Sequence, residues 1–80
     1  MMITGGQIRM ARAALQWSQG DLSANSGVSR TTIQRIEADD GPPSSSRNVE
    51  AIQKALEAGG VEFSRRGAPG VRLRSGTGLV

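Results

Sequence analysis

Side chains able to bind nucleic-acid bases are concentrated between residues 29 and 35, in the run SRTTIQR. The planar fork of Arg30 can donate two hydrogen bonds to O6 and N7 of guanine, Gln34 can pair with adenine, and Thr31 can contact a thymine methyl group. The same arginine could instead bind a phosphate or lie solvated at the surface. Counted along a helix, the residues that face outward and form the predicted base-contacting set are Ser29, Arg30, Thr31, Gln34 and Arg35.

Two short helices on either side of Gly27 are predicted to position this set. Leu22 and the small Ser23 fit a first helix of two turns. Ile33 and Ile36 lie three apart and define the inner face of a second helix. Helices this short are marginal on their own, so they must pack against each other. The spacing therefore predicts a helix-turn-helix unit.

The ends of these helices have clear polar signals. Gly27 can enter the left-handed region, so the chain can turn sharply there. Ser29 is a predicted N-cap whose hydroxyl accepts from the amide of Thr31 or Thr32. Ser18 is the predicted N-cap of the first helix of the unit, and Asp21 completes an acidic capping box.

Two further helices flank the unit. Thr4 and Gln7 form a capping-box pattern before a helix that is predicted to run to about Leu15 or Gln16. Residues 39–46, DDGPPSSS, are predicted to be a loop. Ser46 is the predicted cap of a last helix that starts at residue 47 and runs to about residue 58, before the stop signal of residues 59 and 60.

The last twenty residues alternate apolar and polar side chains at 61–64 and 71–74, which predicts a β-hairpin. A two-stranded hairpin is marginal alone, so it should pack on the helices or pair with a second subunit. The predicted fold is mainly α: a compact four-helix bundle containing a helix-turn-helix, with a short C-terminal β-hairpin. We predict a DNA-binding domain at 1–60, and a hairpin and tail at 61–80 that supply the dimer interface through Val61, Phe63, Val71 and Leu73, with the last helix as second choice.

Residues 19–38 resemble the helix-turn-helix of the Cro and phage-repressor (XRE) family of bacterial transcription regulators. The residues that carry the resemblance are Gln19, Leu22, Ser23, Gly27, Val28, Ile33, Ile36 and Glu37. The match covers about residues 4–58, and the alternative is a helical hairpin without a DNA role. The resemblance implies a partly buried structural ion pair between Arg12 and Glu37, with Arg9 as the freer cation. It also implies phosphate contacts from Gln19 and Arg47 near helix N-termini, with help from Ser18.

The amino-acid composition limits the classes of function that the chain could have. The sequence has no cysteine and no histidine, and only carboxylates could bind a metal, so we expect neither a metal site nor a cofactor. With no carboxylate pair outside a loop, an enzyme is not expected. No segment is long and apolar enough to span a membrane, which predicts a cytoplasmic protein. The resemblance implies a bacterial protein that associates with the nucleoid when bound to DNA.

Charge is unevenly distributed. Residues 1–60 carry six basic and six acidic side chains, and residues 61–80 carry four arginines against one glutamate, which accounts for the net charge of +3. DNA affinity in the helical part must therefore come from the placement of its charges. The four arginines, Arg65, Arg66, Arg72 and Arg74, could attract DNA without reading its sequence, or could guard a strand edge.

These features predict a sequence-specific regulator of transcription, most simply a repressor, that binds double-stranded operator DNA. One short helix reads only a few base pairs, so we expect a homodimer on half-sites about one DNA turn apart. The alternative is a regulator, such as an antiactivator or antitoxin, that uses the same scaffold to hold a protein partner. The neutral helical part and the pair Asp39 and Asp40 favour that alternative slightly.

Overall fold

In the residues that the structure describes, four helices are followed by a short antiparallel β-hairpin. The computed structural model describes residues 3–38, 46–63 and 71–73. In these ranges the elements are α1 (Gly5–Leu15), α2 (Gln19–Ser26), α3 (Arg30–Ala38), α4 (Ser46–Ala58), β1 (Val61–Phe63) and β2 (Val71–Leu73). The two strands pair with Glu62 opposite Arg72. The predicted fold class, mainly helical with a C-terminal hairpin, is confirmed.

Both predicted capping boxes are present. The Gln7 amide donates to Thr4 Oγ1 over 3.2 Å, and the Thr4 amide donates to Gln7 Oε1 over 2.9 Å. At the start of α2 the amides and side chains of Ser18 and Asp21 are paired in the same way, each over 2.9 Å. These bonds satisfy amides that have no partner inside a helix, so each short helix has a defined first residue.

The turns between the helices use the left-handed region twice. α1 ends at Leu15, and the following residue, Gln16, has φ 60°. Gly27 ends α2 at φ 77°, as its type predicts. The Thr32 amide then donates to Ser29 Oγ over 3.2 Å. Ser29 is therefore the cap of α3, and Thr32, rather than Thr31, is its partner.

α4 differs from the prediction at its first residue. The helix begins at Ser46, one residue before the predicted start at residue 47. Most of the predicted loop, including Asp39 and Asp40, lies outside the described residues. None of the helices in the described ranges is long and apolar enough to cross a lipid bilayer.

The core lies between the helices and the inner side of β1. Leu15, Trp17, Phe63 and Val71 are half-buried against it. Its buried apolar side chains are Ile3, Ile8, Ala11, Leu22, Val28, Ile33, Val49, Ile52, Ala55, Leu56 and Val61. The sequence predicted that the hairpin either packs on the helices or pairs with a second subunit. Its described part packs on α1 and α4 of the same chain.

This packing corrects the role predicted for Val61. Its side chain is fully buried within one subunit, so it has no surface to offer a second subunit. It contributes to the core of the helical bundle instead. Phe63 and Val71 are half-buried and Leu73 is exposed, so any dimer contact from the described hairpin must come mainly from these three residues.

Gly59 gives a test of how closely α4 packs against the chain after α1. A Cβ atom at Gly59 would lie 3.0 Å from Leu15 Cδ1 and 3.0 Å from two ring carbons of Trp17. We expect Gly59→Ala to lower the free energy of unfolding by about 1–2 kcal/mol, because the rigid indole must move. Urea titrations followed by circular dichroism measure the change.

Gly20→Ala is the matched control for this prediction. A Cβ at Gly20 would meet Ser18 Oγ at an ordinary 3.5 Å. Because alanine is the better helix former, this variant should be more stable than the native protein by up to about 1 kcal/mol. Equal effects at the two glycines would contradict the proposed steric contact at Gly59.

Candidate nucleic-acid interface

One face of α3 is polar and open to solvent. Every member of the predicted base-contacting set, Ser29, Arg30, Thr31, Gln34 and Arg35, is exposed. On the opposite face Ile33 is fully buried and Glu37 is only 4% exposed. The helical period places the apolar residues inward and leaves both arginines outward. Because Glu37 is the one acidic residue of α3, its burial leaves the open face of this helix positively charged.

The hydroxyl of Ser29 already has partners within the protein. It accepts the Thr32 amide and donates to Thr32 Oγ1 over 2.9 Å. A base contact from Ser29 would therefore have to share a hydroxyl that caps the helix. Its predicted place in the base-contacting set stays a prediction.

Arg30 lies where α3 approaches the start of α2. Its Cδ atom would be 4.0 Å from a Cβ built on Gly20, so its aliphatic stem passes beside the first turn of α2. That turn also contains Ser18 and Gln19, the predicted phosphate contacts. Arg30 therefore lies close to the predicted phosphate-binding groups as well as in the base-contacting set.

The ion pair expected between Arg12 and Glu37 is present and has two hydrogen bonds. Arg12 Nε donates to Glu37 Oε2 over 2.7 Å, and Arg12 NH2 donates to Glu37 Oε1 over 2.9 Å. Arg12 NH1 also donates to the carbonyl oxygen of Trp17 over 3.0 Å. One guanidinium therefore ties α1 to both the α1–α2 connection and the last turn of α3.

Two neighbouring side chains join this pair in ways that the sequence did not indicate. Arg9, which the resemblance implies is a freer cation than Arg12, is exposed and donates from NH1 to the backbone carbonyl of Glu37. Gln19 Nε2 donates to Glu37 Oε1 over 3.1 Å. No sequence feature predicts either contact, because residues 9, 19 and 37 are far apart in the chain and meet only when the helices pack.

The ion pair with Glu37 changes the pKa of Arg12. The hydrogen bond that Arg12 donates to Glu37 and the attraction of the Glu37 charge raise the pKa of Arg12 above the ordinary arginine value, although desolvation acts in the opposite direction. A raised pKa means that the stabilisation is fully present below the unfolded-state pKa and is lost only as the pH rises through the folded-state pKa. The Arg12 charge is therefore maintained throughout the neutral range.

The other predicted phosphate contacts are accessible. Ser18 and Arg47 are exposed, and Arg47 is the second residue of α4. In the hairpin, Arg72 Nε donates to Glu62 Oε1 over 2.9 Å across the strands. Arg65, Arg66 and Arg74 lie outside the described residues, so their predicted roles are not addressed by this geometry.

A comparison with known protein families agrees with this helical architecture. The sequence pattern of the family described as the helix-turn-helix domain matches residues 4–65. No curated protein matches the chain significantly. Because the family match covers most of the chain, the protein belongs to the helix-turn-helix domain family. This membership supports a DNA-binding regulator.

Arg12→Met tests how much the buried Arg12–Glu37 pair contributes to folding. Arg12→Met leaves the buried Glu37 carboxylate without its cation, so we expect the free energy of unfolding to fall by about 3 kcal/mol. Urea titration with Trp17 fluorescence measures the loss.

Arg72→Met is the control, because it breaks an ion pair with Glu62 at an exposed site. Arg72 is 81% exposed, whereas Arg12 is 20% exposed. Surface pairs contribute about 0–1 kcal/mol, so this variant should unfold almost as the native protein does. A similar cost for the two variants would mean that burial of Glu37 does not govern the strength of its pair.

Proposed function

We propose that this protein is a sequence-specific, double-stranded DNA-binding regulator of the Cro and phage-repressor type, and that it has a binding role rather than a catalytic one. In this proposal α3 enters the major groove, and Arg30, Thr31, Gln34 and Arg35 reach base edges. Ser18, Gln19 and Arg47 contact the phosphates on either side. Binding over a promoter would block polymerase, so repression is the simplest outcome.

The observation that carries the proposal is the division of α3 into two faces. All of its predicted base-contacting side chains are exposed, and its one carboxylate is buried against Arg12. Folding thus produces a positive, donor-rich helix face from a helical part whose formal charges balance. This is the charge distribution that a major groove requires, and membership of the helix-turn-helix family supports the same conclusion.

The proposal includes a homodimer, because one short helix reads too few base pairs to select a site in a genome. The hairpin supports this part. Leu73 is 52% exposed, and Phe63 and Val71 are half-buried beside it. The short strand β2 therefore offers apolar area at the outer side of the bundle.

The first experiment selects binding sequences from a pool of random duplex DNA and compares the selected duplex with random DNA of equal length at two salt concentrations. A preference that persists at the higher salt supports a specific reader. Equal binding that disappears with salt would overturn the proposal and direct the search to a protein partner, such as the target of an antiactivator or an antitoxin.

Arg30→Ala tests the major-groove contact. We expect the variant to fold normally, because Arg30 is exposed, and to lose discrimination at one base position by about 1–3 kcal/mol. Competition titrations with duplexes substituted one base pair at a time measure this loss.

Arg47→Ala is the matched control for a phosphate contact. It should weaken binding to all duplexes similarly and reduce the slope of log K against log salt by about 0.9. If Arg30→Ala produces this second pattern, Arg30 binds a phosphate and does not read a base.

Leu73→Asp tests the dimer without disturbing the core. Since Leu73 is exposed, the variant should keep its helical content, and a charge in the interface should shift the protein to monomer and weaken operator binding. Analytical ultracentrifugation measures the subunit equilibrium. A dimer of unchanged strength would place the interface elsewhere, with α4 as the next candidate.

A further inference from the structure

Glu37 accepts one hydrogen bond in addition to the two of its ion pair with Arg12. Its two carboxylate oxygens are already bound by Arg12, one through Nε and the other through NH2. Oε1 accepts in addition from Gln19 Nε2. The charge of Glu37 is balanced without Gln19, so the third bond affects the position of Gln19 more than the charge of Glu37.

The hydrogen bond to Glu37 restricts the side chain of Gln19. It is the first residue of α2, directly after the cap Ser18, and its half-buried side chain reaches across to the last turn of α3. A free glutamine side chain has three rotatable bonds, and fixing them costs conformational entropy. The bond to Glu37 offsets this entropy cost in the free protein, before any ligand binds.

The bond to Glu37 leaves the Gln19 amide with further donor capacity. A glutamine amide nitrogen carries two N–H groups, and one of them is directed at Glu37. The second N–H can donate to a further acceptor, and the stem of Arg30 passes beside the same first turn of α2. The buried carboxylate of Glu37 thus joins the start of α2 to the last turn of α3, the helix whose opposite face is exposed.

We propose that Glu37 is a positioning residue for DNA-backbone binding: it orients the Gln19 amide toward a phosphate and fixes that amide relative to the base-reading face of α3. This inference rests on the DNA binding proposed above. Glu37 itself does not contact DNA. It acts through Gln19, so a buried carboxylate influences affinity for every DNA sequence alike.

A double-mutant cycle between Glu37 and Gln19 tests this role. The four proteins are the native chain, Gln19→Met, Glu37→Gln and the double variant, and the probe is a random-sequence 20-base-pair duplex. We expect each single variant to weaken binding about tenfold, as for loss of one hydrogen bond to a charged group. The double variant should also be about tenfold weaker, and not a hundredfold, because both changes remove the same contact.

Two further readouts separate positioning from a general loss of structure. Because Gln19 is neutral, the slope of log K against log salt should be unchanged in Gln19→Met, in contrast to Arg47→Ala. Glu57→Gln, in the last turn of α4, controls for the change in net charge. Independent effects in the cycle, or a Glu37→Gln variant that is less stable but binds with native affinity, would overturn the inference.

Nuclear magnetic resonance of the native protein decides the matter if Glu37→Gln fails to fold. We expect the Gln19 side-chain amide of the free protein to have an order parameter near that of rigid backbone, about 0.85, and to shift on addition of the duplex. A value below about 0.6 would show an amide that Glu37 does not hold. Native protein that binds no DNA would overturn the proposed function as well, whereas native binding with a mobile amide overturns this inference alone.

Discussion

The buried ion pair between Arg12 and Glu37 is the interaction on which the geometry of this domain depends. Taking a carboxylate out of water is costly, and only a partner with matching geometry offsets that cost. The guanidinium of Arg12 provides two parallel hydrogen bonds to the carboxylate and a third bond to the Trp17 carbonyl. Since α2 and α3 are each less than ten residues long, their mutual orientation cannot come from helix stability alone. The pair fixes the end of α3 against α1, and the apolar core fixes the rest.

The same interaction explains how a nearly neutral helical segment can present a basic surface. The sequence of α3 contains two arginines and one glutamate. Folding buries the glutamate and leaves both arginines exposed. Net charge, which is a property of composition, therefore underestimates the local potential that a polyanion would encounter at this helix. The C-terminal arginines account for the net charge of the chain, but α3 owes its exposed charge to the position of Glu37.

Local rules account for the helix boundaries well, because each depends on residues three or four apart. The boxes of Thr4 with Gln7 and of Ser18 with Asp21, and the left-handed Gly27, are all present as predicted. The exception at Gln16, a non-glycine residue at φ 60°, has no sequence signal of its own. It occurs where Arg12 binds the next residue, so tertiary contacts outweigh the local preference there.

The sequence by itself determined the helix-turn-helix, the hairpin and the outward set of polar residues on α3, because hydrophobic period and capping chemistry are local. It also indicated the Arg12–Glu37 pair, through resemblance to a family. Only the tertiary structure decided that Val61 belongs to the core, that Arg9 binds the end of α3 and that Gln19 is held by Glu37. These outcomes depend on which distant side chains meet when the helices pack. A carboxylate with unused acceptor capacity takes whichever donors the fold brings within reach, and residue spacing in the chain does not specify them.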